Sequence, residues 1–445
     1  MKQESTNGWG LCFFLGFLYL FANIDRFVIN LMVEPIKRDF GVSDTEISFL
    51  IGIAFSLFYV LFGIPIARLA DRSNRKNLLT VGVAAWSVMT ALSGVVQNYF
   101  QLLLARIGIG IGESTITPCA HSMMSDALPP EKLGRGYAIY QMGSVLGAAL
   151  AFIVGGGLLG WADQAWPNGI DIPLIGSIYS WQVVFIILGA PGILIAIIFY
   201  FTIQEPKRRV HASAENEMSL REVWQYLSQH KRLYGSIYAS LSISFIGAGA
   251  IAGWLPALLE RRYGLGPSES APFLVLALVL PGIASAFSAG AMGDWLLKRG
   301  VFDAHIRLSV IGLVIGFIPF AIAPISSSVI VFATLIAVGY FFVYWNTVLS
   351  PVALQLVSPS QMRSTVASLF TVATVLIGFG TGPTFVALIT DFVFGDESMI
   401  HLSIGIVCCI AFGLGAVILA FGRKPFGELM EQLEQETGNT TDAAD

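Results

Sequence analysis

Charge is the scarcest ingredient of this chain. Of its 445 residues only 12% are Asp, Glu, Lys or Arg, while 55% are hydrophobic; an ordinary soluble domain carries roughly 25% charge. That balance excludes a soluble globular protein. Cysteine is also sparse: Cys12, Cys119, Cys408 and Cys409 are the four, all inside apolar stretches and without ligand spacing, which argues against a disulfide framework and a thiolate metal centre. The five histidines, His121, His211, His230, His305 and His401, are scattered, with no HExxH pairing, so no metal is expected. A membrane-embedded lipid enzyme needs a nucleophile, a base or a carboxylate cluster. No GxSxG and no His-Asp pair at membrane depth is present, and that reading, like that of a non-transporting sensor, is a distant alternative. A net charge of −4 and the lack of a basic stripe interleaved with aromatics give no reason to expect nucleic acid.

What the chain has instead is long apolar runs. Windows of about 20 residues, the length that crosses a hydrocarbon core, recur twelve times, from 9–33 through 99–126 to 400–422. The expected fold is therefore an all-α integral membrane protein with twelve transmembrane helices. Most Lys and Arg fall in the loops on the side that holds both chain ends, which predicts cytoplasmic termini and a multi-pass protein of the cell membrane, the inner membrane if the source is bacterial. The first apolar run is too long for a signal peptide and ends in charges, so it reads as an uncleaved first helix. Residues 1–203 and 233–425 are expected to form two six-helix bundles. The linker 204–232 contains Ser219-Leu220-Arg221-Glu222, a capping-box spacing, with Leu220, Val223, Trp224 and Leu227 on one helical face. A cytoplasmic tail, 426–445, ends in a polar stretch expected to be disordered from Gln435.

The chain repeats itself. Gly41-Val42-Ser43-Asp44-Thr45-Glu46 precedes Asp71 by thirty residues counted from Gly41, and Gly264-Leu265-Gly266-Pro267-Ser268-Glu269 precedes Asp294 by thirty counted from Gly264. Both aspartates open a basic loop. Thr117-Pro118 and Ser350-Pro351 form a later pair, and Arg135 and Arg363 each open the following helix. Two parallel halves with a site near the midplane are a known plan of secondary transporters.

The residues Ala67-Arg68-Leu69-Ala70-Asp71-Arg72-Ser73-Asn74-Arg75-Lys76 resemble the helix 2–3 loop signature of the major facilitator superfamily. Arg106-Ile107-Gly108-Ile109-Gly110-Ile111-Gly112-Glu113 resembles its fourth-helix signature. Together with Asp25-Arg26, Pro118, Asp126 and Pro129-Pro130, they look like the Spinster group of lipid transporters; the anion:cation symporter group is the nearest competitor. Ala67 and Asn74 stand where the loop signature usually has glycine, and Ala148 stands where an antiporter signature has proline, so that signature offers no argument for antiport. The resemblance implies alternating access by rocking halves.

Asp25 and Arg26 sit inside an otherwise uncharged span, where a charge costs a few kcal/mol or more and usually serves an ion or a substrate. Counting about 1.5 Å per residue, Asp25 and Arg106 both lie roughly 10–12 Å below the outer boundary and are expected to pair. Glu113 lies two turns beyond Arg106, with Thr117 on the same face, within reach of Arg26. The expectation is an exchange network: Asp25 and Glu113 carry a proton, the coupling ion, with sodium as the alternative, and Arg26 or Arg106 is released to hold an anion. A carboxylate in a low-dielectric site takes up a proton when its cation leaves. In the repeat register Asp25 and Arg26 map to Ala248 and Gly249, and Glu113 maps to Asn346, so the second half is neutral and aromatic there, with Tyr340, Tyr344 and Trp345. Arg26, Arg106, Thr117, Tyr344, Trp345 and Asn346 are the expected substrate contacts. An amphipathic anion such as a lysophospholipid or sphingoid phosphate fits them; a small organic anion or drug is the alternative. Asp71, Arg72, Arg75, Lys76, Arg135 and Asp294 are expected to gate the cytoplasmic side across the seam between halves. No cofactor is expected, and a monomer in the bilayer is.

Overall fold

The computed structural model describes residues 4–173, 176–208 and 218–442; residues 209–217 of the expected linker and the last residues of the tail lie outside them. The first part of the chain forms α1 (Glu4–Val28), α2 (Val33–Phe40), α3 (Asp44–Ser48), α4 (Ala54–Arg72), α5 (Arg75–Ser93), α6 (Tyr99–Glu113), α7 (Ile116–Ala127), α8 (Pro130–Ala165), a hairpin of β1 (Ile170–Ile172) and β2 (Gly176–Ile178), and α9 (Ser180–Thr202). There follow α10 (Leu220–Gln229), α11 (Lys231–Tyr263), α12 (Pro267–Leu274), α13 (Leu280–Leu297), α14 (Ala304–Ile322), α15 (Val329–Val357), α16 (Arg363–Thr371), α17 (Gly380–Leu388) and α18 (Ile400–Asp442). The hairpin pairs Ile170 with Ile178 in antiparallel register and is the one departure from an all-α chain among the described residues.

Among the described residues ten helical segments are long and apolar enough to cross a membrane. Of the two other expected spans, one is α5. The other, 99–126, breaks between Glu113 and Ile116 into α6 and α7, each too short to cross alone. The break has a local cause. The hydroxyls of Ser114 and Thr115 bond back to the carbonyls of Ile111 and Gly112 at 2.6 and 2.8 Å, competing with the helical ladder, and Pro118 lacks the amide hydrogen that would continue it.

The chain divides into two compact units. One comprises Met1–Val210 with Ala252–Val275 and Ala387–Ile400; the other comprises His211–Ile251, Leu276–Val386 and His401–Asp445. In the first, α1 packs on α8, α5 on α6 and α9, and α4 on α6. The α1–α8 contact is backbone-close: a Cβ on Gly143 would overlap the carbonyl of Gly16, and one on Gly147 the carbonyl of Leu20. Small residues permit this approach where apolar solvent offers no drive to associate. In the second unit α14 and α13 pack on α15. Gly378 and Gly382 meet Phe245 and the Ile246 carbonyl, so the glycines of that span serve close packing.

The repeated loops are built alike. Gly41 and Gly264 both take left-handed backbone, φ 65° and 68°, ending a helix in the conformation glycine tolerates best. Ser43 and Gly266 then each donate their amide to the glutamate three residues on, at 2.9 and 3.1 Å. In the linker Ser219 and Glu222 close the expected capping box, and bonds from Ser219 hold the exposed Glu222 carboxyl below its ordinary value. Leu220 and Trp224 stay exposed on one face of α10. The helix α18 continues to Asp442 where disorder was expected.

Candidate functional site

The four charged residues inside the apolar spans of the first unit, Asp25, Arg26, Arg106 and Glu113, gather near the break between α6 and α7. Asp25, Arg106 and Glu113 are fully buried, and the Arg26 side chain is 23% exposed. Glu113 is the last residue of α6, beside carbonyls that the helix end leaves electronegative, and Arg26 supplies the offset: its Nη2 donates to Glu113 Oε2 at 2.6 Å. The Arg26 guanidinium also lies 4.6 Å from the Phe55 ring and 5.2 Å from the Tyr59 ring. Arg106 lies 5.6 Å from Phe55, so one ring on α4 attracts both guanidiniums. Gly110 makes this possible, since a Cβ there would come within 2.7 Å of the Phe55 carbonyl.

Arg106 and Asp25 are neighbours without the expected side-chain ion pair. Arg106 Nη1 donates to the Asp25 backbone carbonyl at 3.4 Å, and its Nε donates at 3.3 Å to the carbonyl of Leu50, which lies in the widened π turn Phe49–Ile53. The Asp25 carboxylate accepts from Thr90 at 3.1 Å. One polar atom on each of these ionic side chains has no partner: Asp25 Oδ1, Arg26 Nε, Arg106 Nη2 and Glu113 Oε1. Four ionic groups of balanced charge, each part-satisfied, form a network able to redistribute its bonds.

Thr117 lies beside this centre, 3.3 Å from the Tyr59 hydroxyl and 3.5 Å from that of Tyr140, and Tyr140 stacks on Tyr19 at 4.5 Å. Phe55, Tyr59, Thr90 and the Tyr19–Tyr140 pair escaped the sequence reading, because aromatic and hydroxyl residues in apolar helices carry no positional signal. In the second unit Asn346 donates to Ser244 and accepts from Ser350, Tyr344 lies 5.5 Å from Tyr340, and Trp345 is buried among Phe341, Phe342, Leu308 and Ala289.

At the basic end Arg75 is buried and bonds Glu205 at 2.7 Å, Asp126, Ser122 and the Pro206 carbonyl. Lys76 donates its amide to Glu205 and its ammonium to the Tyr200 carbonyl. Arg75 and Lys76 thereby tie the start of α5 to α7, to the end of α9 and to the first residues of the expected linker. Arg208 donates to the carbonyls of Ala70 and Asp71 at the end of α4 and to that of Ser73 just beyond it. Asp71, Arg72, Arg135 and Asp294 are exposed and make no ion pair among the described residues.

At the opposite end lies a cluster that sequence reasoning missed. Arg261, at the end of α11, bonds Glu34 at 2.7 Å and both oxygens of Asp44 at 2.7 Å. Lys37 bonds Asp44 and, at 2.8 Å, Glu397. Thr45 donates its amide and hydroxyl to Asp391, and Asn30 donates to the Ala252 carbonyl. Within the first unit, segments from late in the sequence are thereby tied to the start of α2 and α3.

Residues 15–383 match the family model of the Major Facilitator Superfamily. The chain belongs to that superfamily. It is 25% identical to an MFS-type efflux pump of Mycolicibacterium smegmatis over 88% of this chain and 86% of that one. It is also 25% identical to protein spinster homolog 1 of Mus musculus, over 85% and 72%. The fold is similar to the crystal structure of a bacterial homolog of the human lysosomal transporter Spinster in an inward-facing, unoccupied conformation, with a TM-score of 0.77, 24% identity and coverage of 97% and 98%. It is a multi-pass membrane transporter of this superfamily, resembling Spinster, and not an enzyme.

Proposed function

We propose that the protein moves an amphipathic anion, such as a lysophospholipid or sphingoid phosphate, by proton-coupled alternating access, with both termini in the cytoplasm. The Arg26–Glu113 bond at a helix break, flanked by Asp25 and Arg106 with unpartnered polar atoms, carries this reading. Protonation of Glu113 removes the charge that holds Arg26. The guanidinium, the one member of the four that is part-exposed, then turns to an anionic headgroup, while Arg106, held by the Leu50 and Asp25 carbonyls, keeps the local charge balanced. Reformation of the Arg26–Glu113 bond ejects both the proton and the headgroup. Asp25 takes the proton in relay on its unpartnered Oδ1, while Oδ2 keeps its bond from Thr90. The Spinster resemblance of the sequence motifs favours the lipidic substrate class; an amphipathic drug on the same site is the second reading, consistent with the likeness to an efflux pump.

The buried cluster around Arg261 acts as an outer gate in this cycle. It joins α11 and the segment before α18 to α2 and α3, and it must come apart for the site to open outward.

The test is uptake of labelled lysophospholipid into proteoliposomes after a pH jump. Wild type is accelerated by the proton gradient and Glu113→Gln loses that acceleration while staying folded. Normal pH-driven uptake by Glu113→Gln removes Glu113 from the mechanism. Absence of lipid movement with folded wild type, alongside uptake of a small organic anion or drug, replaces the substrate class.

A further inference from the structure

In the second unit the starts of α11 and α14 and the part of α18 around Pro425 line two adjoining open clefts, of about 600 and 580 Å³. The first is lined by Asp303, Arg307, Arg423, Lys424 and Glu431; the second by Arg232, Phe421, Lys424, Pro425 and Glu428. Asp303, preceding α14, does not cap its own helix with its side chain. Its carboxylate instead takes Arg307 at 2.9 Å and Arg423. Gly422 lets α18 approach α11, since a Cβ there would overlap the Ser236 hydroxyl, which brings exposed Arg232 beside Lys424.

The charges are incompletely matched. Two guanidiniums share one carboxylate, Lys424 reaches Glu428 only at 3.7 Å, and Arg232 makes no ion pair among the described residues. An apolar strip runs into this basic group along α18: Leu414, Val417 and Phe421, spaced three and four residues apart and 46%, 56% and 71% exposed. Cations at the end of a lipid-facing apolar strip match a lipid with an anionic headgroup and its acyl chain.

We infer that this is a binding site for an anionic phospholipid of the cytoplasmic leaflet, separate from the Arg26–Glu113 centre and independent of the transport reading. The phosphodiester sits among Arg232, Lys424 and the Arg307–Asp303–Arg423 group, and an acyl chain lies along Phe421 and Val417. Glu428 and Glu431 at the rim disfavour a free multivalent anion, which has no apolar contact to offset them.

The experiment is lipid binding to the purified full-length protein by native mass spectrometry, with phosphatidylglycerol against phosphatidylcholine, and thermal shift with inorganic phosphate as the free-anion arm. A basic residue near an anionic headgroup is worth about 1 kcal/mol, roughly fivefold in affinity, so Arg232→Gln with Lys424→Gln weakens phosphatidylglycerol by about 30-fold and leaves phosphatidylcholine unchanged. Both residues are exposed, so these variants keep the fold. Phe421→Ser weakens the lipid without altering any response to phosphate. Equal phosphatidylglycerol binding by wild type and the double variant overturns the assignment. So does a phosphate response that matches that of the lipid, which makes this a free-anion site.

Discussion

Replacing Arg261 by Met isolates the contribution of the outer cluster. The Arg261 side chain is 8% exposed and Asp44 is fully buried, so Asp44 loses two of its bonds and keeps only Lys37, while Glu34, 23% exposed, regains some solvation. Removing one partner of a buried ion pair costs about 3–5 kcal/mol, and the surviving Lys37 bond and the solvation of Glu34 bring the expected loss to about 2 kcal/mol. When the outer face is open the same groups meet water, so the loss falls on the closed state alone and shifts the closed-to-open ratio roughly 30-fold. Asn30 reports this shift: it is buried, one turn inside the cluster, and bonded to the Ala252 carbonyl. With Asn30→Cys as reporter, a membrane-impermeant thiol reagent applied from outside labels the Arg261→Met protein about 30 times faster than the protein with Arg261 intact. Adding Asp44→Asn removes the stranded charge and returns part of the difference, a non-additivity expected of residues in contact. Equal labelling rates with and without Arg261 refute the gate.

Two further perturbations concern stability. Arg75→Met removes a buried guanidinium from Asp126 and from the half-buried Glu205, which keeps the Lys76 amide, and is expected to cost about 3 kcal/mol, seen as a lower unfolding temperature in detergent with little recovery in high salt; an unchanged midpoint shows that the network carries no stability. Gly82→Val drives a side chain into Thr115 at the α6–α7 break, with an overpacking cost of about 1–3 kcal/mol and faster hydrogen exchange around 112–118; exchange unaltered there shows that the contact is compliant.

Much of the site was legible because ions are conspicuous against an apolar background. Asp25, Arg26, Arg106 and Glu113 stood out for that reason, and helical spacing sufficed to bring Arg26 to Glu113. The repeated loops were legible because glycine, serine and glutamate at fixed offsets encode a helix end and the next helix start. Arg261, Lys37, Asp44 and Glu397 were not, since ionic residues at helix ends are what any solvated loop contains, and only the fold shows that they come together, with Arg261, Lys37 and Asp44 buried. The partners of Arg75, Asp126 and Glu205, were hidden on the same ground: position along the chain says that a cation is near the membrane surface but not which carboxylates it meets.

For the proposed exchange of partners the helix break matters because it frees the backbone at Glu113. A continuous helix would hold by its ladder the backbone that carries this carboxylate. Here α6 ends at Glu113, and Ser114 and Thr115 spend their hydroxyls on the carbonyls behind them, leaving the chain a turn that can adjust without unpairing a lipid-exposed backbone. Irregular backbone at this depth is tolerated only where protein surrounds it, and the burial of Gly112 through Thr115 supplies that protection. Closing the break with Ser114→Ala and Thr115→Ala together, so that neither hydroxyl competes for the ladder, therefore stiffens the position of Glu113 without touching its charge. The expected result is folded protein whose uptake is slowed while its pH dependence keeps its shape. A change in pH dependence instead places the hydroxyls in the proton path and assigns the break a chemical as well as a mechanical part.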